Sequence, residues 1–505
     1  MSPDLRMGTA RGRWVLAATI AGSGLAALDA TVVNVALARI GEDFDAKFSA
    51  LQWITNAYTL TLAAFILLGG VLGDLYGRRR IFVIGTIWFA VASALCAFST
   101  GSSMLIAARA LQGVGGALLT PGSLAIISAT FATADRSKAI GAWSGLGGVA
   151  TAIGPFLGGW LVGINWRLVF LINLPVAAAV VALALRHVPE TKDDSVGGDR
   201  PRVDVPGAVC VVVALTGITY ALTSAGQRGW DLPVIAAAVL GVAASALFVL
   251  LERRTSSPLI RLAMFTNRVF AATNLVTVFI YAALSVFFFL LVLQLQVVAG
   301  WSALAAGTAL LPVTALMLLL SARFGALSQR VGPRPLMTLG SLLAAAAFAA
   351  ALRIGPETSY LTDVLPAVIL LGLGLSCAVA PLTAAVLGAA PAHLAGAASG
   401  INNATARSAG LLAIAVVPAL AGLSSAGVSD AAAFDSGYDV AMLIGVGLLV
   451  TGALVSWFGV GRIPASTATP SDGRVPVHTS PHCAVSHPAL HPDSRPPADD
   501  PVSHV

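Results

Sequence analysis

Charge is what this sequence has least of. Asp, Glu, Lys and Arg make up 10% of its 505 residues, where a soluble globular chain carries about a quarter. A body of this size cannot be given a solvated surface with so few charges, so a soluble fold is excluded. Cysteine is scarcer still. Cys96, Cys210, Cys377 and Cys483 lie far apart, three of them inside apolar runs, and no C-x-x-C pair occurs. Neither a disulfide framework nor a thiolate metal site is therefore indicated. The phosphate-cradling pattern G-x-x-x-x-G-K-[ST] is missing too, so no ATP site is expected. No cluster of His, Asp and Glu sits in the apolar runs, and neither an enzyme nor a bound cofactor or metal is expected.

Apolar residues fill the space that charge leaves: 57% of the chain is hydrophobic, and the mean hydropathy is +0.87. A membrane-spanning helix needs about 20 mostly apolar residues, and a run of that length in lipid satisfies its backbone only as a helix. Fourteen runs meet the rule, near 14–37, 51–72, 81–99, 104–127, 139–162, 168–185, 205–224, 233–251, 269–297, 303–322, 335–352, 363–387, 399–423 and 440–460. The arginines ahead of the first run, Arg6, Arg11 and Arg13, resemble the start of a signal peptide. No small-residue cleavage site follows, so the run is expected to stay as span 1. The fold class is all-α integral membrane.

The surplus of positive charge, net +6, would suggest nucleic acid in a soluble chain. Here it marks topology instead. With the N-terminus inside, 22 of the 29 Lys and Arg residues fall in cytoplasmic segments, 5 in external ones, and 2, Arg109 and Arg407, inside spans. This positive-inside bias supports an even number of spans with both termini cytoplasmic. A plasma (inner) membrane, multi-pass location follows, with the lipid bilayer as partner and no nucleic acid.

The chain also repeats. Gly70-Val-Leu-Gly73-Asp74-Leu-Tyr-Gly77-Arg78-Arg79 returns 255 residues later as Gly325-Ala-Leu-Ser-Gln329-Arg-Val-Gly332-Pro-Arg334, and Ser144-Gly145 returns as Ser399-Gly400 at the same offset. Either Gly-rich segments match by chance or the chain holds two parallel six-helix halves with spans 7 and 8 inserted between them. Parallel repeats of that kind are a transporter plan, with the substrate site between the halves. The expected divisions are residues 1–185, an N-terminal bundle; 186–268, linkers and inserted helices; 269–460, a C-terminal bundle; and 461–505, a tail. The tail holds 9 of 26 prolines and 5 of 7 histidines and is expected to be disordered. Pro-rich spacing gives those histidines no fixed metal geometry.

Ionisable groups inside spans are expensive, about 2.5–3.5 kcal/mol each on insertion scales, and mark function by default. Away from span ends only Asp29, Arg109 and Arg407 remain. A carboxylate taken out of water favours its neutral form and a neighbouring cation favours its charged form. Asp29 beside Arg109 can therefore exchange a proton as its surroundings change; the alternative is a static pair tying span 1 to span 4. Asp74 in the loop after span 2 can accept from arginines or a helix N-terminus and act as a gate. Gly154, Pro155, Gly158 and Gly159 give span 5 small-residue faces and a bend, suited to a sliding contact or to ordinary close packing. Asn34, Tyr58, Gln112, Asn274, Tyr281, Gln294 and Asn402 either line a central cavity together with Arg407 or bond helix to helix.

Together these motifs resemble the major facilitator superfamily, and within it the 14-helix drug:proton antiporters of the multidrug-resistance type. Gly70-x-x-Gly73-Asp74-x-x-Gly77-Arg78-Arg79 is similar to the loop between helices 2 and 3. Arg109-Ala-Leu-Gln112-Gly113-Val-Gly115-Gly116-Ala117 is similar to the helix-4 motif whose Arg is linked to proton transfer. Gly154-Pro155-x-x-Gly158-Gly159 resembles the antiporter motif of helix 5. Leu28-Asp29-Ala-Thr31-Val-Val-Asn34, Trp166-Arg167-Leu-Val-Phe170-Leu-Ile-Asn173-Leu-Pro175, Leu310-Leu311-Pro312 and Ser399-Gly400-Ile-Asn402-Asn403-Ala-Thr-Ala-Arg407 are similar to the 14-helix group. The resemblance covers about residues 12–460. It implies export of small amphipathic substrates by alternating access, in exchange for protons. Gln329 replaces the acid in the repeated loop, so that second lock is expected to be weaker. Some members of that group that export dicationic compounds carry carboxylates in the late helices. Here spans 9–14 lack an acidic residue away from their ends and span 13 has Arg407 instead, so the resemblance implies neutral or singly charged, amphipathic, aromatic substrates. The alternative within transport is a dedicated exporter of an endogenous product, such as a self-made antibiotic, a lipid or a peptide. Proton-coupled uptake and a non-transporting receptor are weaker alternatives.

Overall fold

The computed structural model describes residues 5–192, 204–255, 258–391, 394–423 and 430–461. Among them, thirteen helices are long and apolar enough to cross a membrane. A fourteenth, Thr133–Ile164, completes the series. In chain order they are α1 Ala10–Asp43, α2 Phe48–Tyr76, α3 Arg78–Ala97, α4 Ser102–Thr130, α5 Thr133–Ile164, α6 Leu168–His187 and α7 Val205–Arg228. There follow α8 Leu232–Glu252, α9 Arg268–Val298, α10 Ala303–Val331, α11 Pro333–Ala351, α12 Tyr360–Gly388, α13 Ala395–Leu420 and α14 Ala431–Gly459. The expected tail from 462 onward, with its histidines, lies outside the described residues, as does 193–203 of the linker.

Local chemistry starts these helices where it should. Side-chain oxygens of Thr9, Asp204, Asp231, Asn267, Ser302 and Asp430 accept from the first free backbone N–H groups of α1, α7, α8, α9, α10 and α14, the usual device for orphan donors at a helix start. The helices overrun several expected ends. α14 begins at Ala431 rather than near 440, which places Asp435 and Asp439 inside a helix instead of an external loop. α10 runs on to Val331, so Arg323 and Arg330 sit in its last turns. Polar ends of long helices extend past the hydrocarbon, and hydropathy finds only the apolar part.

Packing follows the repeat. In the first half α1 lies against α5 and α6, α2 against α4, and α3 against α4 and α6. In the second half α9 lies against α13 and α14, α10 against α12, and α11 against α12 and α14. These are the same pairings, displaced by eight helices. The backbone agrees at the repeated loop, where Gly77 and Gly332 both take positive φ, 109° and 83°. Side chains rarely adopt that region. The helix pair α7–α8 packs through α7 against α2 and α13.

The two halves meet along α2–α13, α5–α10 and α1–α9. One apolar cluster runs through the second half and continues into Val32–Ile40 of α1 and Phe48, Leu51 and Ile54 of α2. These residues lie toward the end of the bundle opposite Arg78–Arg80. At the Arg78 end the first half has a separate cluster, built on Val15, Phe82, Ile126 and Val180, that takes in no residue of the second half. The halves are thus sealed at one end and separately cored at the other. Large apolar side chains left exposed, among them Val91, Val239, Leu319 and Phe458, fit a surface that meets lipid rather than water.

Candidate functional site

Four helices of the first half converge on Asp29. Arg109 of α4 donates from Nη1 to Asp29 Oδ2 at 2.5 Å, and both side chains are sealed from solvent at 1% and 0% exposure. Gln112, one turn along α4, donates to Asp29 Oδ1 at 2.8 Å and accepts from Arg109 Nη1 at 2.6 Å. The i, i+3 spacing puts Arg109 and Gln112 on one face of their helix. From α6, Asn173 donates to the same Oδ1 at 2.8 Å and to Ser93 Oγ of α3 at 3.0 Å. Ser93 Oγ in turn donates to the Phe170 carbonyl at 2.9 Å. Arg109 Nε donates to the Ile54 carbonyl, and its guanidinium lies over the Tyr58 ring at 4.2 Å. Charge is therefore matched by charge, and three donors meet one carboxylate, as burial demands.

Asn173 and Ser93 were not singled out as site residues by the sequence. Each is an ordinary polar residue in a span, and only the approach of α3 and α6 gives them a role.

The network is closed off at the sealed end. Trp166 Nε1 and Arg167 Nη1 donate to Asp43 Oδ2 at 3.0 and 3.1 Å, and Arg167 Nη2 reaches the Ser99 carbonyl. A depression of about 930 Å³ lies outside this clamp, lined by Glu42, Asp43, Asp45, Arg167, Gln296 and Trp301 among others. Across the halves, Gln52 donates to the Ile414 carbonyl and Gln296 to the Val35 carbonyl.

α5 meets both halves through its glycines. Gly154 and Gly158, one turn apart, lie against Thr31 and Val32 of α1, and an added Cβ at Gly158 would stand 3.1 Å from Val32 Cα. Gly159 faces the other way, where a Cβ would stand 2.6 Å from Leu304 Cα of α10. The Pro155 carbonyl lies against Gly307 of α10. Side chains of Ser144 and Gly145 lie outside the described residues.

At the opposite end Asp74 accepts from Arg78 Nε and Nη2, both at 2.8 Å. The pair spans the Gly77 turn within one half, and does not bridge the two halves as a lock between them would. Gly70 and Gly73 precede that turn on α2. Glu190, in the charged linker, was not singled out either. Its carboxylate accepts the backbone N–H groups of Arg79 and Arg80 at 3.1 and 3.2 Å and lies 3.6 Å from Arg79 Nε. It caps α3, and its oxygen occupies the place a Cβ on Gly77 would need.

The remaining expected cavity residues divide. Asn402 of α13 donates to Asn274 Oδ1 and Thr277 Oγ1 of α9. Arg407 sits mid-helix in α13, within electrostatic reach of Tyr58 and Tyr281. Asn34 has a buried Oδ1 without a hydrogen-bond partner. Gln112 belongs to the Asp29 network instead. Gln294 is buried between the Ile354 carbonyl and Asp435, tying α9 to α14. Both are fully buried and bond within one half, which favours helix-to-helix bonding over cavity lining, although Gln294 Oε1 has no partner.

Three kinds of comparison bear on this arrangement. The family model described as Major Facilitator Superfamily matches residues 19–415. The puromycin resistance protein pur8 of Streptomyces alboniger is 36% identical, over 92% of this chain and 94% of that protein. The tetracenomycin C resistance and export protein of Streptomyces glaucescens is 33% identical over 91% and 85%. The multidrug resistance protein Stp of Mycobacterium tuberculosis is 35% identical over 77% and 72%. Among solved structures, a bacterial homologue of the human lysosomal transporter Spinster, inward-facing and unoccupied, superposes with a TM-score of 0.64 at 18% identity, over 90% of this chain and 98% of that one. A POT family transporter in complex with 5-aminolevulinic acid gives 0.65 at 13%, over 90% and 98%.

Proposed function

We propose, for a chain that belongs to the Major Facilitator Superfamily, that it exports amphipathic drugs or antibiotics across the plasma membrane in exchange for protons. The carrying observation is the Asp29–Arg109 pair, buried among Gln112, Asn173 and Tyr58 beside the meeting line of the two halves. Relatives described as drug resistance and export proteins over most of both chains support the direction. The Lys and Arg bias supports placing the Arg78 end and both termini in the cytoplasm. On that orientation the sealed end is external, and the described state is inward-facing.

The residues take these roles in the proposal. Residues 1–185 and 269–460 rock as two bundles about a central cavity. Asp29 receives a proton arriving from outside and releases it inward, while Arg109 holds the carboxylate's charged state. Gly154, Gly158 and Gly159 let α5 slide between α1 and α10. Asp74, Arg78, Arg79 and Glu190 fix the turn at Gly77, so that α2 and α3 move as one piece. Asn34, Tyr58, Asn274, Tyr281, Asn402 and Arg407 face the cavity. An inward proton contributes about 2.3 kcal/mol per 100 mV plus about 1.4 kcal/mol per pH unit. Per 100 mV that sustains about a 50-fold gradient of a neutral substrate. Export of a product of the cell itself uses the same machinery and is the second reading.

The test uses proteoliposomes loaded with a fluorescent pH dye. Substrate moving down its own gradient should drive protons the opposite way, one pulse per addition. Substrate flux without any proton movement would overturn the coupling, and proton movement in the same direction as substrate would make it uptake.

A further inference from the structure

Among the described residues, Arg407 is a cation in a span that has no carboxylate partner. No ion pair includes it, and its Nε is buried without a hydrogen-bond partner. Arg109, likewise set well inside an apolar run, is matched by Asp29. The difference is the starting point.

Helical spacing fixes where Arg407 faces. Residues seven apart lie on nearly the same side of a helix. Seven before Arg407, Gly400 lies 3.2 Å, by its would-be Cβ, from the Leu67 side chain of α2. Seven after it, the Ile414 carbonyl accepts from Gln52 of α2 at 2.7 Å. Arg407 is therefore on the stripe of α13 that meets α2, at a height between Gln52 and Leu67. Tyr58 stands at that height on α2, and the guanidinium lies within electrostatic reach of Tyr58 and of Tyr281 on α9. One turn below Gln52, on the same side of α2, Asn56 is wholly buried, and neither its amide nitrogen nor its carbonyl oxygen has a partner. The seam between the halves thus holds an unmatched guanidinium, an unmatched carboxamide and two phenol rings.

The geometry points to this seam as the recognition site for the acidic group of a singly anionic aromatic substrate, with Arg407 binding a carboxylate or phenolate, Asn56 offering a second donor, and Tyr58 and Tyr281 flanking the ring system. The assignment rests on the export reading and narrows its substrate class. A guanidinium presents a planar fork of donors suited to a carboxylate, and aromatic faces beside it suit a flat apolar body. Tyr58 also carries Arg109 on its ring, so the anion would bind one side chain away from the proton site.

Three anthraquinones with the same skeleton test the assignment: the 2-carboxylate, its methyl ester and the 2-aminomethyl cation. Equilibrium binding to the purified full chain at pH 8 should rank them acid, ester, amine, with the acid at least tenfold tighter than the ester. Arg407→Gln should lower the acid-to-ester affinity ratio at least tenfold, and Arg407→Lys should restore part of it. Wild type binding acid and ester alike, or preferring the amine, overturns the proposal, as does an unchanged ratio in Arg407→Gln. Proton-driven movement of the ester by wild type in proteoliposomes separates the two readings. If it occurs without acid preference, export stands and this assignment falls. If none of the three compounds binds or moves, both fall.

Discussion

Asp29 and Arg109 are a costly pair to keep in a membrane. Each alone is penalised by lipid, and together they persist because each charge is matched and three donors meet the carboxylate. Removing one partner of a buried pair costs about 3–5 kcal/mol, whereas removing both is often tolerated. Arg109→Gln should therefore lower the unfolding temperature in detergent sharply, and the double variant Asp29→Asn/Arg109→Gln should recover most of it. A double variant as unstable as the single one would mean that the pair does not act as a unit. The pair itself was legible in the sequence, because an ionisable residue in the middle of an apolar run is rare enough to stand out. Ser93 and Asn173 were not, since serine and asparagine occur in spans for many reasons and only tertiary contact selects these two. Glu190 was hidden for the opposite reason: a carboxylate in a charged linker reads as solvated surface.

Helices carry the next set of consequences. α5 touches α1 through Gly154 and Gly158 and α10 through Gly159. Any side chain at Gly159 must push α10 away at the sealed end. Gly159→Leu should hold that end open, seen as faster labelling of a cysteine placed at Gln296, and should reduce transport at least tenfold. Labelling as slow as in the parent would contradict the contact. At the other end Gly77 combines positive φ with the Glu190 carboxylate in its Cβ position. Gly77→Ala should destabilise the α2–α3 turn by about 1–3 kcal/mol, measured as a lowered detergent melting temperature, and Glu190→Ala should relieve only the steric part. The fourteen spans were legible because lipid imposes a length and an apolar composition that few other structures need. Their ends were not. Asp435 and Asp439 in the first turns of α14 look like loop residues to any hydropathy rule, yet Gln294 binds Asp435 and makes that turn part of the fold.

At the scale of the whole molecule, the repeat in sequence becomes a repeat in packing, and the two seams it generates are treated differently. Helix α7 packs against both α2 and α13 along their seam, and among the described residues no helix pair takes that place on the related α5–α10 seam. In the proposed cycle the sealed end is where motion must break contact. Cysteines replacing Gln52 and Ile414, in a chain whose four native cysteines are changed to serine, should be joined through two disulfides by a short bis-methanethiosulfonate cross-linker. Joining should stop transport, and reductant should restore it; continued transport by the joined protein would mean that the seam does not open. The overall division into halves could be read from the 255-residue offset, but which end is sealed could not, because that depends on conformation rather than composition. The central claim, that a proton at Asp29 drives export, is tested most directly in inverted vesicles with an imposed pH gradient. The account predicts that wild type accumulates substrate when the gradient is applied and that Asp29→Asn binds substrate but accumulates none. Full proton-driven accumulation by Asp29→Asn would contradict it.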